Sequence, residues 1–357
     1  MALTVETPGD VDELTEFLTF FDEVNASRAA RWPAFVPFQL PVLTGESPFA
    51  EGRLIRPFLA RDNGRIVARV LALVDERYQR HWQEPIGHLN LFEALPEAHV
   101  GAQALLRVAS EWLAGEGARA ARLGFGMLES PFATDAYEVL PPSWLRQNPA
   151  YYHGLIEGAG FTPERRFVDY KIEVRPELRA RWREALAAGR RQGFEILPLR
   201  DVVAERRARE FAAVWNEAFA RHWGQVPFSE AEVATLMEAL GPMGMLDVSV
   251  LAYERGEPMG VLWVVPSMAS MALLGAGRKL APAESLNNLG IGVRAPARGR
   301  GLNLAMAAHA YLELVRLGAT HLSYTLVLDD NWPSRRTAEK LGAAVCAHYV
   351  AYARPLV

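Results

Sequence analysis

At 357 residues, half of them hydrophobic, the chain is long enough for two domains that each bury a core. A formal charge of −4 provides no broad basic face, so a nucleic-acid partner is not expected. A single cysteine, Cys346, rules out an intramolecular disulfide, and the opening MALTVETPGDVDEL is acidic where an export signal would be basic and apolar, so a reduced, cytoplasmic location is expected.

Apolar stretches such as 260–277 are broken by Pro266 and small polar residues and read as strands, not as a membrane span. Lysine is rare (Lys171, Lys279 and Lys340 among 38 basic residues), so arginine is the default cation and no single arginine carries much weight.

In chain order, a short acidic helix comes first. Residues 56–74, RPFLARDNGRIVARVLALV, then predict two apolar strands joined by a turn at Gly64. An amphipathic helix follows at 100–117, and NPAYYHGLIEGAGF (148–161) predicts a helix that closes at Gly160. The stretch 174–196 predicts a solvated connecting helix, with the ten arginines between 175 and 209 on the surface. The order then repeats: a hairpin at 248–265 around Gly256, a helix at 302–318, a strand at 320–328 and a closing helix at 331–343 that ends at Gly342.

The turn glycines are 192 residues apart and the closing glycines 182 apart, an offset regular enough to suggest a duplicated β-hairpin/α/β/α unit. Two α/β halves that merely share common punctuation would look the same. The expected division is 1–174, a connecting helix at 175–196, and 197–357.

The sharpest local signal is PARGRGLNLAM (296–306), where a strand at 286–293 enters a glycine-rich turn and then a helix. Leu304, Ala308, Tyr311, Leu312 and Val315 form an apolar face on that helix, which Gly318 ends. First-turn amides have no intrahelical acceptor, and Gly299 and Gly301 would let a pyrophosphate approach the backbone. A plain tight turn is the other reading. The GxGxxG of a dinucleotide fold and the GKS or GKT of a Walker loop are both absent.

VRAPARGRGLN resembles the Arg/Gln-x-x-Gly-x-Gly/Ala pyrophosphate loop of the GCN5-related N-acetyltransferases (GNATs), with Arg298 and Gly301 at the first two specified positions and Asn303 at the third. Downstream, THLSYTLVL, Asn331, Ser334 and the ending Leu341-Gly342-Ala343 resemble that superfamily's fifth strand, asparagine loop and closing helix; Asn331 also suits a helix N-cap. With HLNLFE (88–93), NPAYY (148–152) and VWNEAFARHWGQVPFSEAE (214–232), the whole chain resembles a tandem family of these proteins.

The resemblance implies an α/β (α+β) fold of two tandem GNAT-like domains, each a mixed, mostly antiparallel sheet flanked by helices. It implies acetyl-CoA or another acyl-CoA as cofactor. The cofactor would be held by Ile291, Gly292 and Val293 on the fourth strand, by Arg298, Gly299, Arg300, Gly301, Leu302 and Asn303 in the loop, and by Asn331. The reaction is acyl transfer to the amine of a small molecule or peptide; a homodimer is compatible with it. In the first copy the loop position reads EALPEAHVG (93–101), whose two glutamates would repel a pyrophosphate, so this copy is expected to be a structural or substrate-side partner and NPAYY to pack between domains.

Two departures from the family bear on catalysis. Ala338 stands where relatives carry the tyrosine that protonates the leaving thiolate, and SLNNLGIGV lacks the strand glutamate that often acts as base. A thiol of reference pKa about 8.5 can leave without an obligatory acid, and Tyr324, Tyr349 or Tyr352 are stand-ins, although each also reads as core. Candidate bases are Glu217, His222 and Asp330; His222 beside Trp223 also reads as structural. These departures favour a rival reading, a catalytically inactive acyl-CoA-binding or scaffold protein. A second rival is a different acyl or aminoacyl transferase with its acceptor between the domains. Scattered histidines and the absence of GxSxG give no metal site and no serine hydrolase.

Overall fold

A computed structural model describes residues 3–356. The first half runs β1 (Leu3–Glu6), α1 (Val11–Val24), β2 (Ala30–Arg31), α2 (Val36–Leu43), β3 (Arg53–Asp62), β4 (Arg65–Asp75), α3 (Glu76–Trp82), β5 (Ile86–Ala94), α4 (His99–Gly115), β6 (Ala120–Leu123), β7 (Phe132–Ala133), α5 (Tyr152–Gly158) and β8 (Thr162–Glu173). The second runs α6 (Pro176–Arg191), β9 (Glu195–Pro198), α7 (Ala204–Phe219), α8 (Glu230–Leu240), α9 (Met245–Val248), β10 (Val250–Glu254), β11 (Glu257–Val265), β12 (Leu273–Leu274), β13 (Asn288–Val293), α10 (Leu302–Arg316), β14 (His321–Leu328), α11 (Trp332–Leu341) and β15 (Ala344–Pro355). The series hairpin, strand, helix, strand, helix, strand thus occurs twice.

Local chemistry explains most element ends. Asp10 caps α1 by accepting the Glu13 amide at 2.9 Å, and Ser229 with Glu232 forms a capping box on α8. Gly342 ends α11 in the left-handed region at φ 93°. Strand β4 is buried along nearly its whole length, as a central strand covered on both faces should be.

The sheet order is β1-β3-β4-β5-β6-β15-β8-β14, then a break, then β13-β11-β10-β9. Within it β5 and β6 pair parallel and the other pairs are antiparallel. The two halves have exchanged their last strands. Strand β15 lies beside β6, with Val350 and Tyr352 in the first core, while β8 lies beside β14, with Val168, Tyr170 and Ile172 in the second. A stretch ending at residue 174 therefore ends on a strand packed inside the other half.

Three expectations change. The arginine-rich helix α6 is not merely a solvated connector: Trp182 is buried and donates its indole N–H to the Leu341 carbonyl at 3.0 Å, and Gly189 lies against Ala305 of α10. Only its arginine face is exposed. Helix α10 is accordingly covered on two sides, by the sheet and by α6, so Leu302, Ala305, Met306, Ala308, Ala310, Tyr311 and Leu314 are buried while Leu304, Leu312 and Val315 are only partly so. NPAYY packs within the first half and not between halves: Tyr152 is fully buried, its hydroxyl donating to Glu93 at 2.6 Å, and Asn148 accepts the Ala133 amide at 2.7 Å.

Candidate functional site

Strands β13 and β14 run side by side, but side chains bridge them where backbone bonds would be expected. Asn287 accepts the Ser323 amide at 2.9 Å and donates to the Ser323 carbonyl at 3.2 Å. Thr325 accepts the Leu289 amide at 2.8 Å and donates back to the Leu289 carbonyl at 3.0 Å. Beyond that point the strands part. Since the Leu289 N–H and C=O face β14, the alternation of a strand aims those of Ile291 and Val293 the same way, into the gap, while Gly290 and Gly292 pair with Trp263 and Val261 of β11. A Cβ on Gly290 would come within 2.5 Å of the Trp215 ring, and one on Gly292 within 2.8 Å of Ala218, so these glycines let α7 lie directly on β13 beside the gap.

The gap opens into a groove of about 920 Å³, at the upper end of the range for small-molecule sites. The loop into α10 forms one wall. Gly299 and Gly301 both adopt the left-handed region (φ 76° and 78°), where glycine alone is unstrained, and a Cβ on either would meet open space. Among the described residues, the amides of Gly299, Arg300, Gly301, Leu302, Asn303 and Leu304 have no backbone acceptor, the first such bond being Ala305 to Gly301 at 3.0 Å. Helix α11 forms the facing wall with Asn331, Ser334, Arg336, Thr337 and Lys340. Thr337 accepts the Asn303 side-chain amide at 2.9 Å and so draws Asn303 aside onto α11.

The sequence-predicted residues divide. Ile291, Gly292, Val293, Arg298, Gly299, Gly301, Asn303, Asn331, His222 and Tyr324 all line the groove. Arg298 folds back over the end of β13, donating to the Val293 carbonyl at 3.0 Å, and Asn331 caps α11 by accepting the Ser334 amide at 3.3 Å. Arg300 turns away to form a two-point ion pair with Glu254 at 2.7 and 2.8 Å, and Leu302 is buried in the core, so neither lines the groove. Glu217 lies outside the groove, half exposed and paired with Arg294 at 2.8 Å; Asp330 is exposed and 3.5 Å from Arg165.

His222 is mostly buried, its Nδ1 without a partner among the described residues, and burial holds its pKa below the ordinary histidine value. Tyr324 lies 3.0 Å from Ser334 Oγ, and burial pushes its hydroxyl up to about 12. Ala338 is fully buried, whereas Tyr349 and Tyr352 belong to the core.

Sequence reading missed the aromatic end of the groove. Phe125, Trp144, Leu145 and Phe167 come from the first half, facing Trp215, Phe219 and Trp263 of the second. No aspartate or glutamate lines the groove, and its cations Arg298, Arg336 and Lys340 make no ion pair among the described residues. The segment 220–228 that carries His222 is clamped by the first half: Trp82 donates to the Gln225 carbonyl at 2.7 Å, and Trp223 packs on Phe125 and under Arg122 at 4.8 and 4.4 Å. Such contacts join residues far apart in the chain, and neither periodicity nor a motif signals them.

The equivalent place in the first half is reduced to a pocket of about 90 Å³. Strand β5 bulges at Leu91 (φ 53°), but the Leu91 amide donates to the buried Glu129 carboxylate at 2.6 Å. Arg146 pairs with Glu129 and Glu93 at 2.7 and 3.0 Å, lining that pocket with paired charge. Among the described residues no helix is long and apolar enough to cross a membrane.

No profile of a known protein family matches the chain. Two curated relatives do. "Protein YghO" of Escherichia coli is 22% identical over 232 residues, 63% of this chain and 58% of its own length. "Bacterial ceramide synthase" of Caulobacter vibrioides is 23% identical over 376 residues, 98% of this chain and 95% of its own. Among solved structures, a GCN5-related glucosamine N-acetyltransferase region in a fungal multi-domain β-N-acetylglucosaminidase matches with a TM-score of 0.61 at 18% identity, covering 99% of this chain and 38% of that one. A tandem GNAT protein from the clavulanic acid biosynthesis pathway matches with a TM-score of 0.60 at 11% identity, covering 100% of this chain and 99% of that one. The chain therefore spans little more than half of YghO and under half of the fungal chain. End-to-end coverage by a tandem structure, the doubled element order and the parted strands β13 and β14 agree on one conclusion: the chain is a tandem GNAT-fold protein.

Proposed function

We propose that the chain is an N-acyltransferase that takes an acyl group from acetyl-CoA or another acyl-CoA in the groove of its second half and passes it to an amine. The observation that carries this reading is the run of acceptor-free amides from Gly299 to Leu304 at the edge of an acid-free groove with unpaired cations. Open amides at a helix start suit a pyrophosphate, and left-handed glycines keep side chains out of its way. In this reading the loop from Arg298 to Asn303 holds the pyrophosphate, Asn331 and Ser334 lie alongside, and the pantetheine arm runs in the gap past Ile291 and Val293.

Coenzyme A supplies an activated acyl group: the amine nitrogen attacks the thioester carbon, the C–N bond forms, the C–S bond breaks and sulfur leaves as thiolate. The Ile291 amide, aimed into the gap, stabilises charge on the carbonyl oxygen. Burial keeps His222 neutral near pH 7, so its imidazole can take the proton the amine must lose. The Tyr324 hydroxyl, protonated at neutral pH, supplies a proton to the departing sulfur in place of the tyrosine that Ala338 lacks.

Acetyl-CoA is expected to raise the melting temperature, and an amine panel should contain acceptors that release free thiol. Absence of binding would remove this reading; binding without thiol release from any amine would favour the non-catalytic rival. The His222→Gln variant is expected to lower kcat on the order of 100-fold or more with CoA affinity unchanged. An unchanged kcat would remove His222 from the reaction.

The aromatic end favours a narrower reading of the acceptor. With no carboxylate to receive a polycation, the walls built by Trp144, Phe167, Trp215 and Trp263 suit an amine or acyl group with an apolar chain. The Caulobacter vibrioides relative is named for ceramide, an N-acylated long-chain amine. Long-chain acyl-CoAs and long-chain amines should then outperform acetyl-CoA and polyamines in kcat/KM.

A further inference from the structure

We propose that Asp169, carried on the strand that the first half contributes to the second half's sheet, is a positioning residue for the acyl-donor groove: it holds Leu326 in the bulge that keeps β14 apart from β13. The proposal rests on reading the groove as the acyl-CoA site.

Asp169 sits between two bulges. On one side the register passes from Tyr324 opposite Tyr170 to Val327 opposite Val168, so Thr325 and Leu326 together face Asp169. On the other side it passes from Val345 opposite Tyr170 to Ala347 opposite Asp169, leaving Cys346 as the extra residue. Leu326 has φ 42°, a left-handed conformation that a branched L side chain rarely adopts. Its amide is turned out of the ladder and donates to Asp169 Oδ1 at 3.3 Å. Thr325, Leu326 and Val327 line the groove, whereas Asp169 is 1% exposed and acts from behind them.

A buried carboxylate with no cation is costly, and among the described residues Asp169 makes no ion pair. Its surroundings are the Cys346 thiol at 3.9 Å and Ser323, with the Tyr311 and Tyr349 hydroxyls further off and Lys171 and Asp135 beside Cys346. The role left to it is to accept amides at the bulge. A left-handed leucine with its amide on a buried carboxylate also occurs in the first half, Leu91 on Glu129, but there it lies on β5, the counterpart of β13 and not of β14. There the carboxylate lines a pocket of about 90 Å³ together with Arg146; in the second half it comes from the exchanged strand and leaves the groove face free. The second half's site is thus incomplete without the first half's last strand.

Two substitution pairs test this by calorimetric titration with CoA. Asp169→Asn keeps an oxygen acceptor and should bind within about twofold of the parent; Asp169→Leu removes it and should bind at least tenfold more weakly while still melting cooperatively. Should Asp169→Leu fail to fold, Leu326→Val and Leu326→Gly ask the same question at the groove surface. Valine resists the left-handed region and should lose affinity; glycine adopts it freely and should keep it. Unchanged affinity in folded Asp169→Leu, or in Leu326→Val, overturns the proposal.

Two further readouts separate it from a merely structural role and from failure of the acyl-CoA reading. Burial lifts the Asp169 carboxyl from 3.8 to about 7, so the folded state holds a proton the unfolded chain has lost. Stability is then full below about pH 4 and falls as pH rises through about 7, and Asp169→Asn should flatten that slope. A crystal structure of Asp169→Leu should show β14 drawn toward β13. If the parent binds no CoA, the functional reading fails; if the variant's groove is unchanged, this inference fails.

Discussion

Replacing both Gly299 and Gly301 by glutamate is expected to weaken acetyl-CoA binding more than 100-fold while leaving a cooperatively melting protein. Both residues have left-handed φ with open space where a Cβ would point, so the new side chains extend into the groove and do not collide with the core. Two carboxylates would then sit among the amides proposed to hold a pyrophosphate. A 100-fold loss corresponds to about 2.7 kcal/mol, which like-charge repulsion at close range can readily supply. The left-handed conformation itself costs an L residue about 1–2 kcal/mol, so a lower melting temperature is part of the expected result. The double Asn variant separates these effects, because asparagine tolerates the conformation and adds no charge; it should keep most stability and lose less affinity. Calorimetric titration decides the matter, and undiminished binding by the double Glu variant would remove the loop from the site.

The second large effect lies in the first half. Arg146→Ala is expected to destabilise the protein by about 3–5 kcal/mol, measured by urea unfolding. The Arg146 guanidinium pairs with Glu93 and Glu129, donates to the Phe92 carbonyl and lies 4.3 Å from the Phe132 ring. Its loss strands two buried carboxylates; burial already pushes Glu129 upward despite the arginine, so this group would take up a proton sooner than remain charged. Removing both charges of the closest pair, in Arg146→Leu with Glu129→Leu, should destabilise less than the single change, because no stranded charge remains at that contact. A single-variant loss below 1 kcal/mol would show the network to be solvated. CoA affinity should change little, since Arg146 does not line the groove.

Together these experiments distinguish the two copies by their chemistry. Both halves carry a left-handed leucine at a bulge with its amide held by a buried carboxylate. In the first half Glu129 and Arg146 line a pocket of only about 90 Å³ beside that bulge; in the second a groove of about 920 Å³ is edged by amides and cations. The first half supplies one wall of the groove and holds the 220–228 segment in place.

The repeated element order, the two hairpins, Gly299 and Gly301 as an open turn, Gly342 as a helix end and the absence of a glycine loop in the first copy were all legible in the sequence, because each depends on residues near one another in the chain. Tertiary structure alone decided the rest. Strands β8 and β15 carry the same kind of apolar pattern whichever neighbour they join, so nothing local shows that they exchange partners. Burial of Trp182 and Gly189 on an arginine-rich helix depends on a surface supplied by α10, and the aromatic end of the groove on Phe125, Trp144, Leu145 and Phe167 crossing from the first half. Asp169, one acidic residue within a strand, acquires its place opposite the Leu326 bulge only because the two halves share one sheet; hydrogen bonds between distant strands, unlike turns and caps, have no short-range signature.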